Sequence, residues 1–156
     1  MAFELVNSKN SINNDDHFSN YDAEIALIGC ILWDNKNFEK ISEFLIEDHF
    51  VDQNNKKIFK TIKDLLNKNI LVSPITLKNY LPDDDTKIDN VKYLNQIKDS
   101  TPSTQNTYNY AKLIYDLHIK RNLLSIAHRI IEETNNKEEN NDGNVLIENA
   151  ENDLYL

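Results

Sequence analysis

The sequence is poor in the residues that punctuate and cross-link a chain. Of 156 residues only two are glycine, Gly29 and Gly143, and three are proline, Pro74, Pro82 and Pro102. A phosphate-cradling loop needs clustered glycines, so that backbone N–H groups can approach the phosphate closely. The two glycines lie far apart, so neither a Walker A nor a G-x-G-x-x-G pattern can be written. An all-β sandwich needs frequent Gly and Pro turns between short alternating strands, and these are missing. The one cysteine, Cys30, leaves no intrachain disulfide framework and points to an intracellular compartment. No apolar run approaches the ~18 residues of a membrane span. The opening MAFELVNSKNSINNDDHFSN has neither an apolar h-region nor an Arg-rich amphipathic pattern, so it reads as neither a secretory signal nor a usual transit peptide.

Positive charge is also in deficit. Lys and Arg total 17 against 26 Asp and Glu, a formal net charge of -9. Affinity for DNA phosphates comes from cationic side chains that release counterions, so a direct grip on DNA is not expected. Hydrophobic residues make up 40% of the chain, enough for one modest core in a chain of single-domain length.

What is present has helical period. Residues 1–20 are polar, with too little apolar surface to offset the entropy of ordering, and read as a flexible arm; Phe3, Leu5 and Val6 could instead dock on a neighbour. From Tyr21 to about Trp33, with Asp22 or Asn20 as cap, Ala23, Ala26, Leu27, Cys30 and Ile31 form one stripe. Asn37–Leu45 fits a short helix through Phe38, Ile41, Phe44 and Leu45. Asn54–Asn69 is the clearest amphipathic segment, with Ile58, Phe59, Ile62, Leu65 and Leu66 opposite its lysines. Ser73-Pro74 reads as a cap followed by proline at the first helical position, and that helix carries Leu77, Tyr80 and Leu81 up to Pro82. Asp83–Asp85 reads as a loop, and Asp89–Asp99 as a helix carrying Val91, Leu94 and Ile97. No segment has period-2 alternation, so the fold class is all-α.

Thr101-Pro102-Ser103-Thr104 breaks the chain and starts the longest helix, to about Glu133. At 100° per residue, Tyr110, Leu113, Ile114, Leu117, Leu124 and Ile131 fall on one side. Ile119, Leu123, Ile126 and Ile130 fall on the other. A helix apolar on two faces must be covered from two directions. After the polar linker Asn135–Asn144, Val145–Leu156 can fold back as an antiparallel helix and supply one cover. The second face then meets another protomer, or the helices of residues 22–99 cover it within the chain. The division is a polar arm (1–20), a compact globular helical bundle (21–102) and a long antiparallel helical hairpin (103–156).

The search for chemistry is mostly negative. Of His17, His49, His118 and His128, no two make an i, i+4 metal pair, and His128 reads as a structural residue on the apolar side. Cys30 reads as a small buried hydrophobe. Glu24, Glu39 and Glu43 read as scattered surface acids. No G-x-S-x-G or H-E-x-x-H occurs. No residue set for catalysis, cofactor or metal emerges, so the chain alone is not expected to be an enzyme. Tyr108, Tyr110 and Tyr115 near Lys112 and Lys120 could stack on single-stranded bases, although such tyrosines more often pack. Arg121 falls in the middle of the first apolar face of the long helix, where a guanidinium needs a carboxylate or carbonyls. It is a candidate for a structural ion pair within the bundle, or for an inter-subunit contact.

The order of motifs carries a resemblance. The run Asp22-Ala23-Glu24-Ile25-Ala26-Leu27-Ile28-Gly29-Cys30-Ile31-Leu32 resembles the opening E-A-E-x-x-x-L-G-x-x-L of the N-terminal domain of DnaB-type replicative DNA helicases. Phe50 with Lys57-Ile58-Phe59, Ile75-Thr76-Leu77 and Tyr93-Leu94 are similar to its F…I-F, T-L and Y-L elements. Thr101-Pro102-Ser103, Asn106, Tyr110-Ala111, Ile114 and Arg121 match T-P-S-x-x-N-x-x-x-Y-A-x-x-I…R. Leu146 to Tyr155 resembles the closing L-L-D-x-A-E-x-x-L-F. Each motif alone is weak; six in order over about residues 21–156 are strong. Asn55 stands where the family usually has His, Ser73-Pro74 where an acid often precedes T-L, and Asp83–Asp85 has no counterpart.

The resemblance implies an all-helical collar domain whose hairpins pair between subunits, from dimer up to hexamer, with Ile119, Leu123, Ile126 and Ile130 at the contact. It implies primase as a partner, with a helicase loader as a further one, and DNA only indirectly through a parent that unwinds duplex with ATP and magnesium. That nucleotide chemistry would belong to an ATPase domain absent from these residues. The setting would be cytoplasm, nucleoid or an organelle of bacterial descent, with no membrane. A stand-alone helical adaptor or loader-like interaction module is the competing reading.

Overall fold

Asn20 rather than Asp22 starts the first helix: its side chain accepts the Ala23 N–H at 2.9 Å, an N-cap bond. The computed structural model describes residues 18–81, 90–136 and 142–155. The expected arm therefore lies almost wholly outside the described residues, as do the Asp83–Asp85 loop and the middle of the Asn135–Asn144 linker. Six α-helices are described: α1 (Tyr21–Trp33), α2 (Gln53–Asn67), α3 (Pro74–Lys78), α4 (Asn90–Ser100), α5 (Thr107–Asn135) and α6 (Gly143–Leu154). Short 3-10 turns occupy Asn35–Lys40, Glu47–His49 and Thr104–Asn106, and no strand occurs among the described residues.

α1 is the axis of the bundle and packs chiefly on α4 and α5. The single stripe expected for it is too narrow. Ile28, Gly29 and Leu32 are buried together with Leu27, Cys30 and Ile31, because neighbours close around this helix from several sides. Gly29 is required by the crossing with α4. A Cβ there would overlap the Thr101 hydroxyl and come within 2.9 Å of the Ile97 carbonyl oxygen.

The local sequence sets most other boundaries. Asp52 caps α2 by accepting from Asn54 and Asn55 N–H at 2.9 and 2.8 Å. α2 ends in a Schellman turn: Asn69, at φ 59°, lets Ile70 N–H reach the Leu65 carbonyl and its own N–H reach that of Leu66. Ser73 and Thr76 form a capping box on α3. Val72 before the cap and Leu77 inside the helix are both buried.

The segment 37–45 is not the expected α-helix. It is a 3-10 turn over Asn35–Lys40 followed by hydrogen-bonded turns to Leu45. Asn35 reaches back to the Ile31 carbonyl and across to both backbone groups of Val72, and Asn37 donates to the Cys30 carbonyl at 2.9 Å. These tethers hold the chain tight against the end of α1. The apolar spacing still serves its purpose, with Phe38, Ile41 and Leu45 buried.

Glu24 departs most from its expected surface position. It is 2% exposed and accepts from the Val51 N–H at 2.6 Å, the Asp52 N–H at 3.3 Å and Asn55 Nδ2 at 3.0 Å. Burial pushes its carboxyl above the usual range, against the lowering effect of those three donors. Asn55 Oδ1 is itself buried without a hydrogen-bond partner.

Candidate functional site: an assembly surface on the hairpin

α5 begins inside the globular part and leaves it. Ser103 caps the preceding turn through Gln105 N–H, and Thr107 Oγ1 donates to the Thr104 carbonyl at 2.6 Å. Thr107, Ala111 and Ile114 are buried, with Ala111 and Ile114 in the core cluster that also holds α1. Cys30 sits beneath this start, its Sγ donating to the Ser103 carbonyl at 3.6 Å, and burial pushes its thiol up. It is a packed residue, as the sequence suggests.

The next two turns form an aromatic seat. Tyr115 meets Phe44 and His49 edge-on, with ring centroids 5.8 and 5.2 Å apart. Tyr108 meets Phe44 at 5.7 Å. Lys112 lies over the Tyr115 ring and pairs with Asp116 at 2.8 Å. Tyr108 and Tyr115 are thus engaged in packing, which disfavours the base-stacking reading. His49 and His118 stack with centroids 4.5 Å apart. His49 Nδ1 accepts the Ile46 N–H, and His118 Nε2 lies 2.9 Å from Asn122 Nδ2. Burial first, then the neighbouring His118 and Arg121, holds the His49 imidazole down to about 4. Burial and Arg121 lower His118 in the same direction. Sequence reasoning missed this pair because His49 and His118 come from distant segments.

Arg121 closes the seat. Its Nη1 donates to the Phe18 carbonyl at 2.5 Å and its Nη2 to the His49 carbonyl at 2.7 Å. It therefore joins three segments distant in sequence through main-chain acceptors, one of the two kinds of partner its position calls for.

Beyond Arg121 no residue of α5 is fully buried. α6 folds back on this stretch, and Arg129 bonds Asp153 across the pair while approaching Glu133 at 4.0 Å on its own helix. One helix of twelve residues leaves much of α5 open. Leu123 is 50% exposed, Ile119 37%, Ile130 36% and Ile131 56%, while Ile126 is half-buried. His128 is exposed too; α6 leaves its side of α5 open, so it is not the enclosed structural residue expected. A helix that exposes this many aliphatic side chains on both sides is built to be covered.

The described residues thus form a globular helical bundle that projects a two-helix arm with open apolar faces. Residues 16–116 match the model of the DnaB-like helicase N terminal domain. The chain belongs to that family. It is 32% identical over 166 residues to the replicative DNA helicase DnaB of Rickettsia conorii, covering 99% of this chain and 34% of the relative. It is 34% identical over 156 residues to that of Rickettsia prowazekii, covering 94% and 32%. The chain thus spans about a third of the length of these curated relatives. In fold it is similar to the N-terminal domain of DnaB helicase from Mycobacterium tuberculosis, at TM-score 0.74 and 18% identity over 88% of this chain and 96% of that one. It is also similar to a DnaB-like replicative helicase described with its interactions with primase, at TM-score 0.70 and 25% identity over 87% of this chain and 31% of that one. These likenesses favour a helicase domain over a stand-alone adaptor.

Proposed function

We propose that the chain is the collar element of a replicative helicase, joining subunits through its hairpin and offering its outer surface to primase. The observation that carries the assembly half is the open stretch of α5 beyond Arg121, where Leu123, Ile130 and Ile131 stay exposed although α6 has already folded back. Ile119, Leu123, Ile126 and Ile130 would meet the same face of a second protomer, an isologous four-helix contact. Copies would then assemble from dimer up to hexamer.

The docking half is supported by the primase interactions described for the structurally similar helicase; a helicase loader is a further candidate for the outer surface. The parent would unwind duplex DNA with ATP and magnesium inside the cell. The present residues do not fit a nucleotide. Gly29 is packed under Thr101 and Ile97, and Gly143 opens α6 alone, so among the described residues no glycine loop offers its N–H groups to phosphate. DNA would be reached only through the parent. A Walker A motif in the reading frame past Leu156 checks the parent. Titration of the chain with the C-terminal region of the cognate primase checks the docking: saturable binding is expected, and none at high micromolar concentration contradicts it.

A further inference from the structure

A cleft of about 470 Å³ opens where the globular bundle meets the root of the hairpin. Its apolar lining comes from three places: Ile25 and Ala26 of α1, Pro102 of the break before α5, and Tyr110 and Leu113 of α5. Ile25 and Tyr110 rest on the core and stay half-buried. Leu113 is 39% exposed. Asn20, Ser100 and Thr101 add polar wall, and Asp22 is the one charged side chain among the lining residues. An aliphatic and aromatic floor suits an apolar peptide segment, and the single acid disfavours phosphate.

The beginning of the chain runs along this cleft, since Asn20 and Asp22 line it. Two residues before Asn20, the Phe18 carbonyl accepts from Arg121 Nη1 at 2.5 Å. That bond fixes the point from which the preceding residues leave the bundle. Arg121 lies eight residues beyond Leu113 on α5, about 12 Å along the helix axis. The eleven residues 7–17 are all polar or charged except Ile12. An extended connection of that length reaches about 40 Å, ample for the chain to turn back to the cleft. Ahead of it stands the densest apolar cluster of the first twenty residues, Ala2-Phe3-Glu4-Leu5-Val6.

We propose that residues 2–6, which lie outside the described residues, occupy the cleft of their own chain. Phe3 and Leu5 fill the floor between Ile25 and Leu113, and Glu4 faces solvent, the alternation of an extended segment. The N-terminal arm is then held at both ends, by Arg121 at Phe18 and by the cleft at Phe3 and Leu5. It straps α1, the break at Pro102 and the first turns of α5 together at the point where the hairpin leaves the bundle. The segment of the same chain is the favoured occupant because it is tied to the wall of the site. Its effective concentration there is about millimolar, which outcompetes a second copy at micromolar concentration. The proposal depends neither on the Leu123 face nor on any partner protein.

The test is disulfide trapping in the 156-residue chain under mild oxidation at micromolar concentration. Leu5→Cys/Leu113→Cys is compared with Asn10→Cys/Leu113→Cys, whose first cysteine lies nearer the Phe18 anchor in sequence. Cys30 is 0% exposed and stays unreactive. Circular dichroism checks that each variant folds. The Leu5→Cys pair should form an intrachain bridge, read as a faster band on a non-reducing gel, about tenfold or more faster than the Asn10→Cys pair. Adding Phe3→Ser should slow bridging of the Leu5→Cys pair about fivefold or more, because it removes the largest apolar contact of the segment. The proposal is overturned if the two pairs bridge at equal rates, as a tethered but undocked arm would, or if Phe3→Ser changes nothing. It is also overturned if the Leu5→Cys pair bridges mainly between chains, as a dimer band whose share rises with concentration; the cleft then takes the arm of a second copy.

Discussion

Glu24 is a carboxylate held inside an apolar core by two backbone N–H groups and the Asn55 amide. Glu24→Ala leaves these donors buried and unpaired, and should cost on the order of 3 kcal/mol, read from the urea midpoint. Its role was not legible in the sequence, where Glu24 reads as a surface acid, because the donors that hold it come from Val51, Asp52 and Asn55, far along the chain. The pH dependence comes largely from the seat of α5. The His49 imidazole is held to about 4 in the folded chain against 6.5 in the unfolded one. Between those values the unfolded chain binds more protons. The stability from His49 is therefore complete above pH 6.5 and is lost as pH falls toward 4. His118 adds in the same direction. Glu24, raised by burial, works in the opposite sense, its cost being relieved as pH falls through its raised value. Urea titrations across this range should show a smaller loss for His49→Gln than for the native chain; an equal loss contradicts the assignment. Arg121→Ala removes the bonds to the Phe18 and His49 carbonyls and should cost about 1–3 kcal/mol.

At the scale of elements, the crossing of α1 and α4 depends on a missing side chain. Gly29→Ala places a methyl group against the Thr101 hydroxyl and the Ile97 carbonyl. The backbone must move, so a loss of about 1–3 kcal/mol in thermal or urea unfolding is expected. An unchanged midpoint would show that the crossing is slack. The helices set by caps and period were legible in the sequence: α2 by its amphipathic period, α3 under Ser73 and Pro74, and the long reach of α5. Segment 37–45 was not, since its turn is fixed by Asn35 and Asn37 bonding to Val72 and the Cys30 carbonyl, contacts that periodicity does not encode. α1 was read as one stripe for a related reason. Period shows which residues share a face, not how many neighbours close around a helix.

At the scale of the molecule, the architecture is a core around α1 with an arm that outruns its own cover. Both apolar faces of α5 were visible in the sequence, because they follow from 100° per residue alone. The seat formed by Phe44, His49, Tyr115, His118 and Arg121 was not, because its parts lie far apart along the chain. The lysine row of α2 was visible as one face of an amphipathic helix. On α6 the division into Leu146 and Asp153 half-buried and Glu148 and Glu151 exposed became visible only in the structure. The central claim is that the open face around Leu123 joins copies of this chain. Light scattering at micromolar concentration tests it most directly: the native chain should show the mass of a dimer or a larger assembly, and Leu123→Glu should reduce that mass without loss of helix content. A strict monomer, unaltered by Leu123→Glu, contradicts it.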